Sequence, residues 1–84
     1  MSLLIVKAAF DHEASVWYVS DSDVPGLATE ADTFDALRTK ILIMVPELLE
    51  ANNIATDADE FPVEIIAHDS ANVVLKQAGL PKKF

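Results

Sequence analysis

Cysteine is absent from the 84 residues. That excludes a disulfide framework, a thiolate nucleophile and a cysteine-ligated metal. The only glycines, Gly26 and Gly79, stand too far apart to form a glycine-rich loop that cradles a phosphate. Positive charge is scarce: six Lys and Arg face fourteen Asp and Glu, for a net charge of −8. Half of the positive charge, Lys76, Lys82 and Lys83, lies near the end, so residues 1–75 carry −11. Phosphate neutralisation needs clustered Lys and Arg, so direct nucleic-acid binding by this chain alone is not expected. Long apolar runs are missing too. The longest, Ile41-Leu42-Ile43-Met44-Val45, is far short of the ~20 residues of a membrane span. Lys7 follows the N-terminal apolar stretch rather than preceding it, the reverse of a signal peptide. The expectation is a cytoplasmic domain that folds by packing alone.

What is present is apolar surface. The chain is 51% hydrophobic, yet a body of this size buries only about 60% of its unfolded surface. Some of that surface has no room inside a monomer, which points to a homo-oligomer. The acidic body keeps the protein soluble or attracts a basic protein partner.

Hydrophobic periodicity predicts the elements. In residues 3–10, Leu4, Val6, Ala8 and Phe10 share one strand face, and Leu3, Ile5, Lys7 and Ala9 the other. Both faces are mostly apolar, which suits a central strand. The polar turn Asp11–Ser15 leads to a second strand over residues 16–20, forming an antiparallel hairpin. Pro25 and Gly26 punctuate a loop, and residues 27–31 form a third strand. Thr33 is a helix N-cap, and Asp32 and Asp35 place negative charge beside the helix N-terminus. The helix runs to about Ala51, with Pro46 inside it and Asn52-Asn53 at its end. Residues 61–67 resume the period-two pattern as a fourth strand, with residues 54–60 an acidic loop before it. Residues 72–78 read as a short helix or as extended chain. The fold class is therefore α+β: a β-β-β-α-β antiparallel sheet covered on one face by one long helix. The domain spans residues 1–69, and residues 70–84 form a C-terminal tail.

Two features bear on binding. Five consecutive apolar residues, 41–45, go fully round a helix, and a sheet covers only one stripe. Phe34, Leu37, Ile41, Val45 and Leu48 form that stripe. Leu42, Ile43 and Leu49 point elsewhere and are the expected protein contact. Trp17 and Tyr18 point to opposite faces of their strand. Trp17 is assigned to the core with Val19, and Tyr18 to the outside, where aromatic side chains favour binding.

The segments Trp17-x-Val19, Asp23-Val24-Pro25-Gly26 and Glu30-Ala31-Asp32-Thr33-Phe34-Asp35-Ala36 together resemble the signature of HicB-type antitoxins. The similarity is greatest to a group of short HicB-like domains that also carry Val-Pro-Glu-Leu-Leu in the helix, here residues 45–49. It extends from residue 3 to about 67, with alanine at position 31 where the family usually has glycine. The resemblance implies a partial RNase H-like fold without catalysis, and a small basic RNase toxin as partner. Asp21 and Asp23 are then the expected acidic contacts, beside Leu42, Ile43 and Leu49. Pro25, Gly26 and Thr33 have folding roles in the motif. Family members often add a DNA-binding domain. The 17 residues after Ala67 are too few for one of helix-turn-helix type. The alternative function is a stand-alone homo-oligomeric scaffold with no toxin partner.

No constellation points to catalysis, a metal or a cofactor. Asp11, Glu13, Asp21 and Asp23 sit in turns at opposite ends of one strand, not converging as a two-metal nuclease requires. Asp57, Asp59 and Glu60 lack the glycine and distal glutamate of an EF-hand loop. His12 and His68 lie far apart with no cysteine to complete a zinc site.

Overall fold

The first reversal of the chain closes on one carboxylate. The computed structural model describes residues 3–54 and 62–75. In it, Leu4–Asp11 form strand β1 and Val16–Ser22 form strand β2. Asp11 Oδ1 accepts the backbone N–H of Glu13 at 2.9 Å and of Ala14 at 3.2 Å. The Ser15 N–H donates to the Asp11 carbonyl at 2.7 Å, and Ser15 itself adopts a left-handed φ of 56°. The two strands pair antiparallel, with Phe10 opposite Trp17 and Ala8 opposite Val19. Lys7 then pairs with Asp21, so Ser20 is an extra residue in a β-bulge, its Oγ donating to the Lys7 carbonyl at 3.2 Å.

Asp23 ties the end of β2 back to β1. Its carboxylate accepts the Ile5 N–H at 2.9 Å, and its own N–H donates to the Ile5 carbonyl at 3.0 Å. The following loop is part of the core, because Val24 and Leu27 are buried. Gly26 has φ 81°, a region that L side chains rarely adopt. A Cβ there would meet Leu48 Cδ2 at an ordinary 3.5 Å, so backbone conformation and not space demands glycine. Strand β3 is only Glu30–Ala31, shorter than the residues 27–31 expected. Leu27 turns inward as a loop residue instead of extending the strand.

Helix α1 spans Phe34–Ala51. Thr33 is its N-cap, with Oγ1 accepting the Ala36 N–H at 3.1 Å. Pro46 interrupts the hydrogen-bond ladder without ending the helix. It and Leu42 lie on the exposed side, where water can serve the carbonyl that Pro46 cannot bond. Asn53, with φ 55°, ends the helix and turns Ile54 back against the core.

Strand β4, Val63–His68, pairs with β1 in parallel, Val6 opposite Ile65 and Ala8 opposite Ala67. The sheet order is β3-β2-β1-β4. An entirely antiparallel sheet is thus corrected at its last strand. The reason is geometric: a helix of 18 residues carries the chain about 27 Å back along the sheet, so the next strand starts where β3 started. β3 and β1 both run against β2, so a strand parallel to β3 is parallel to β1.

The helix covers one face. Leu37, Ile41, Val45 and Leu49 are buried with Val6, Ala8, Val24, Leu27 and Ala31. Leu4, Trp17, Val19, Phe34, Met44, Leu48, Ile54, Val63 and Ile65 pack around this cluster. Among the described residues no polar side-chain atom is buried without a partner. At one end Phe10, Trp17 and Phe34 stack edge to face, with centroids 5.4 and 5.5 Å apart. Residues 69–75 carry neither helix nor strand, so the short helix over 72–78 is absent from 72–75; residues 76–78 lie outside the described residues. Phe61 and the acids Asp57, Asp59 and Glu60 also lie outside them.

Two local devices carry separable stabilities. Thr33→Ala should cost about 1 kcal/mol through the lost cap, and Gly26→Ala about 1–2 kcal/mol through its left-handed backbone. Urea denaturation of the two variants measures both. An unchanged midpoint for Gly26→Ala would contradict the assigned turn.

Candidate protein-interaction site

The outer face of α1 presents apolar and acidic side chains together. Ile43 is 60% exposed and Leu42 is 42% exposed. At 100° per residue, Ile43, Pro46, Glu47 and Glu50 project to the same outward side, with Thr39 and Asp35 beside them. All six are exposed. The basic residues of the helix lie at the margins of this face. Lys40 turns away, its Nζ donating to the Glu30 carbonyl at 2.7 Å. Among the described residues no Lys or Arg forms a salt bridge with an acid; the one basic side chain close to a carboxylate is His12, beside Asp69. The negative charge is therefore displayed to solvent.

The expected contact set divides. Leu42 and Ile43 are exposed as expected, but Leu49 is 4% exposed and belongs to the core. The buried stripe follows four-residue spacing, 37-41-45-49, and so drifts about 40° per step toward Leu49. Ile54 donates its N–H to the Leu49 carbonyl there, and the loop that carries the buried Val24 and Leu27 reaches the helix end at Leu48 and Asn52. Leu48, assigned to the stripe, is half-buried beside the Gly26 turn. Asp21 and Asp23 do not join Leu42 and Ile43. Asp23 is a structural clasp on Ile5, and Asp21 stands opposite Lys7 on the sheet. Trp17 packs inward against Phe34, and Tyr18 is exposed on the opposite face.

That opposite face is the second surface, and the expected contact set omitted it. Leu3, Tyr18 and Ile66 are exposed there, with Ile5 and Ala9 between them. Lys7, Ala9, Ser20, Ile66 and His68 line an open depression of about 480 Å3 on it. No described helix or strand lies over it. The signal was the apolar second face of β1, which marks a central strand, as β1 is between β2 and β4, and also an uncovered face. A third feature is the turn residue His12. Its Nε2 lies 2.8 Å from Asp69 Oδ1 and 3.1 Å from the Ser70 carbonyl, fastening the chain beyond β4 to the β1–β2 turn.

A family described as a domain of unknown function, DUF1902, matches residues 3–76. The chain belongs to this family. A comparison with curated proteins gave no match. Among solved structures, the DUF1902 chain is similar to the hypothetical protein TTHA1013 from the extremely thermophilic bacterium Thermus thermophilus. The two are 47% identical over 88% of this chain and 100% of that one, with a TM-score of 0.65. Among the described residues of this DUF1902 domain, no group of three or more His, Asp or Glu could hold a metal ion. No described helix is long and apolar enough to cross a membrane.

The division of the helix residues is testable by stability. Ile43→Ser should change it by less than about 0.5 kcal/mol, whereas Leu49→Ala should cost about 2–4 kcal/mol. Asp23→Ala should cost about 1 kcal/mol through the lost bond to Ile5, and Asp21→Ala close to nothing. Denaturant midpoints for the four variants check this order, and an Ile43→Ser loss matching that of Leu49→Ala would overturn it.

Proposed function

We propose that this chain is a non-enzymatic, cytoplasmic protein-interaction module of HicB-like type that binds a small basic protein, an antitoxin for a small basic RNase toxin. One observation carries the reading: Leu42 and Ile43 are exposed on the outer face of α1 among the exposed acids Asp35, Glu47 and Glu50, which outnumber Arg38 beside Leu42 and Lys40, turned to the Glu30 carbonyl. An apolar centre with a charged rim is the anatomy of a protein interface. The rim sets the sign of the partner, because unpaired acids steer a basic surface and repel an acidic one. The sequence resemblance in the strand, turn and helix-start segments supports the toxin class. The membership in DUF1902 is compatible with this and names no activity.

Co-expression with a small basic protein encoded beside this gene tests the proposal. The expected result is a co-purifying complex and rescue of growth from that protein's toxicity. Ile43→Asp with Leu42→Asp should weaken the complex at least about tenfold without unfolding the domain. Raising salt from about 0.05 to about 0.5 M should slow association, as steering by exposed charges requires. No complex and no rescue would exclude the antitoxin role.

A further inference from the structure

The helix-free face of the sheet carries apolar side chains that this chain's described residues leave uncovered. β1 and β4 place Ile5, Ala9 and Ile66 on it, Leu3 just before β1 continues it, and β2 adds Tyr18; Lys7, Glu64 and His68 stand among them. The same chain carries a second uncovered apolar element. Val73, Val74 and Leu75 are 86%, 82% and 63% exposed, three consecutive large side chains in contact with little. A run of that kind left in water is unfavourable, and the hydrophobic effect drives it toward any apolar surface within reach.

We propose that two copies of this chain associate reciprocally, each laying its segment Val73–Leu75 on the helix-free sheet face of the other. Three observations select a second copy as the occupant. The first is apolar complementarity: the segment is apolar, the face carries Leu3, Ile5, Ala9, Tyr18 and Ile66 between its polar residues, and both are open. The second is charge. All fourteen acids precede Ser70, whereas residues 70–84 hold three lysines and no acid. A basic tail leaving an acidic body is repelled by other tails and attracted by other bodies. The third is the place of departure. His12 holds Asp69 and Ser70 at the β1–β2 turn, at the end of the sheet, and just beyond them Val73–Leu75 are exposed. Fastening the root of the segment fixes its exit and lowers the entropy lost when it docks on a partner.

The depression between Lys7, Ser20, Ile66 and His68 is the seat for one of these side chains. Reciprocity makes the contact isologous: each copy gives one tail and one face, so the assembly closes at two and leaves no free apolar face to continue a chain of copies. The outer face of α1 is not used. The dimer therefore keeps both Leu42–Ile43 surfaces free, and the inference stands apart from the identity of any basic partner.

Sedimentation of the full chain from about 1 to about 100 μM tests it. The wild-type chain should be a dimer across the upper part of this range. Val73→Asp with Leu75→Asp should weaken dimerisation at least about 100-fold, with an unchanged circular dichroism spectrum, because both residues lie outside the helix and sheet. Ile66→Lys on the sheet face should do the same. Leu42→Asp with Ile43→Asp should leave the dimer intact, which separates this contact from the partner-binding surface. Mixing the tail variant with the Ile66→Lys variant should form a heterodimer, since one intact tail then meets one intact face. A wild-type chain that is monomeric throughout, or a dimer unaffected by the tail substitutions, would overturn the proposal.

Discussion

Everything in this structure depends on one stripe of one helix. Leu37, Ile41, Val45 and Leu49 close over Val6 and Ala8 of the central strand, and the remaining core residues arrange themselves around that contact. The chain has no disulfide, and no metal cluster stands among its described residues. This burial is its main source of stability. A small body with one such contact is sensitive to how its helix is started and stopped. Thr33 and Asn53 set those limits, and Asp23 and Asp11 hold the strands in the register that puts Val6 and Ala8 under the helix.

The same economy explains the two exposed surfaces. A single helix covers one side of a four-stranded sheet and buries one side of itself. Its outer side and the far side of the sheet stay open unless something else covers them. A sequence free of interaction constraints would make both surfaces polar. This one keeps Leu42 and Ile43 on the first and Leu3, Tyr18 and Ile66 on the second. The first carries exposed acids, on which the proposed basic partner rests. The second belongs to a chain whose own continuation is apolar and then basic, the pairing on which the proposed self-association rests. Separation of the two surfaces by the thickness of the domain lets one molecule use both at once.

Local features of the fold were legible in the sequence because their causes are local. The Thr33 cap, the Pro25-Gly26 turn, the helix through Pro46 and the inward Trp17 each follow from a few neighbouring residues. Features that depend on long-range geometry were not. β4 lies parallel to β1 because of where the helix delivers the chain, and nothing within Val63–His68 states that direction. Leu49 is core because a loop contributing Val24 and Leu27 meets the end of the helix, so angular position on an isolated helix misplaced it. Asp21 and Asp23 are close in sequence to the motif but far in role from Leu42 and Ile43. The helix-free face had a signal, the apolar alternation of Leu3, Ile5 and Ala9. It could not be told from that of a strand buried on both sides without knowing that no described element forms a second layer there.

The central claim is that the apolar excess of this chain is divided between a partner-facing helix surface and a self-facing sheet surface. The most direct measurement is the methyl NMR spectrum of the isolated protein as a function of its own concentration. The account predicts that the methyl signals of Leu3, Ile5, Ile66, Val73, Val74 and Leu75 shift together as concentration rises, while those of Leu42 and Ile43 stay still. Signals that never move with concentration, or movement confined to Leu42 and Ile43, would contradict it.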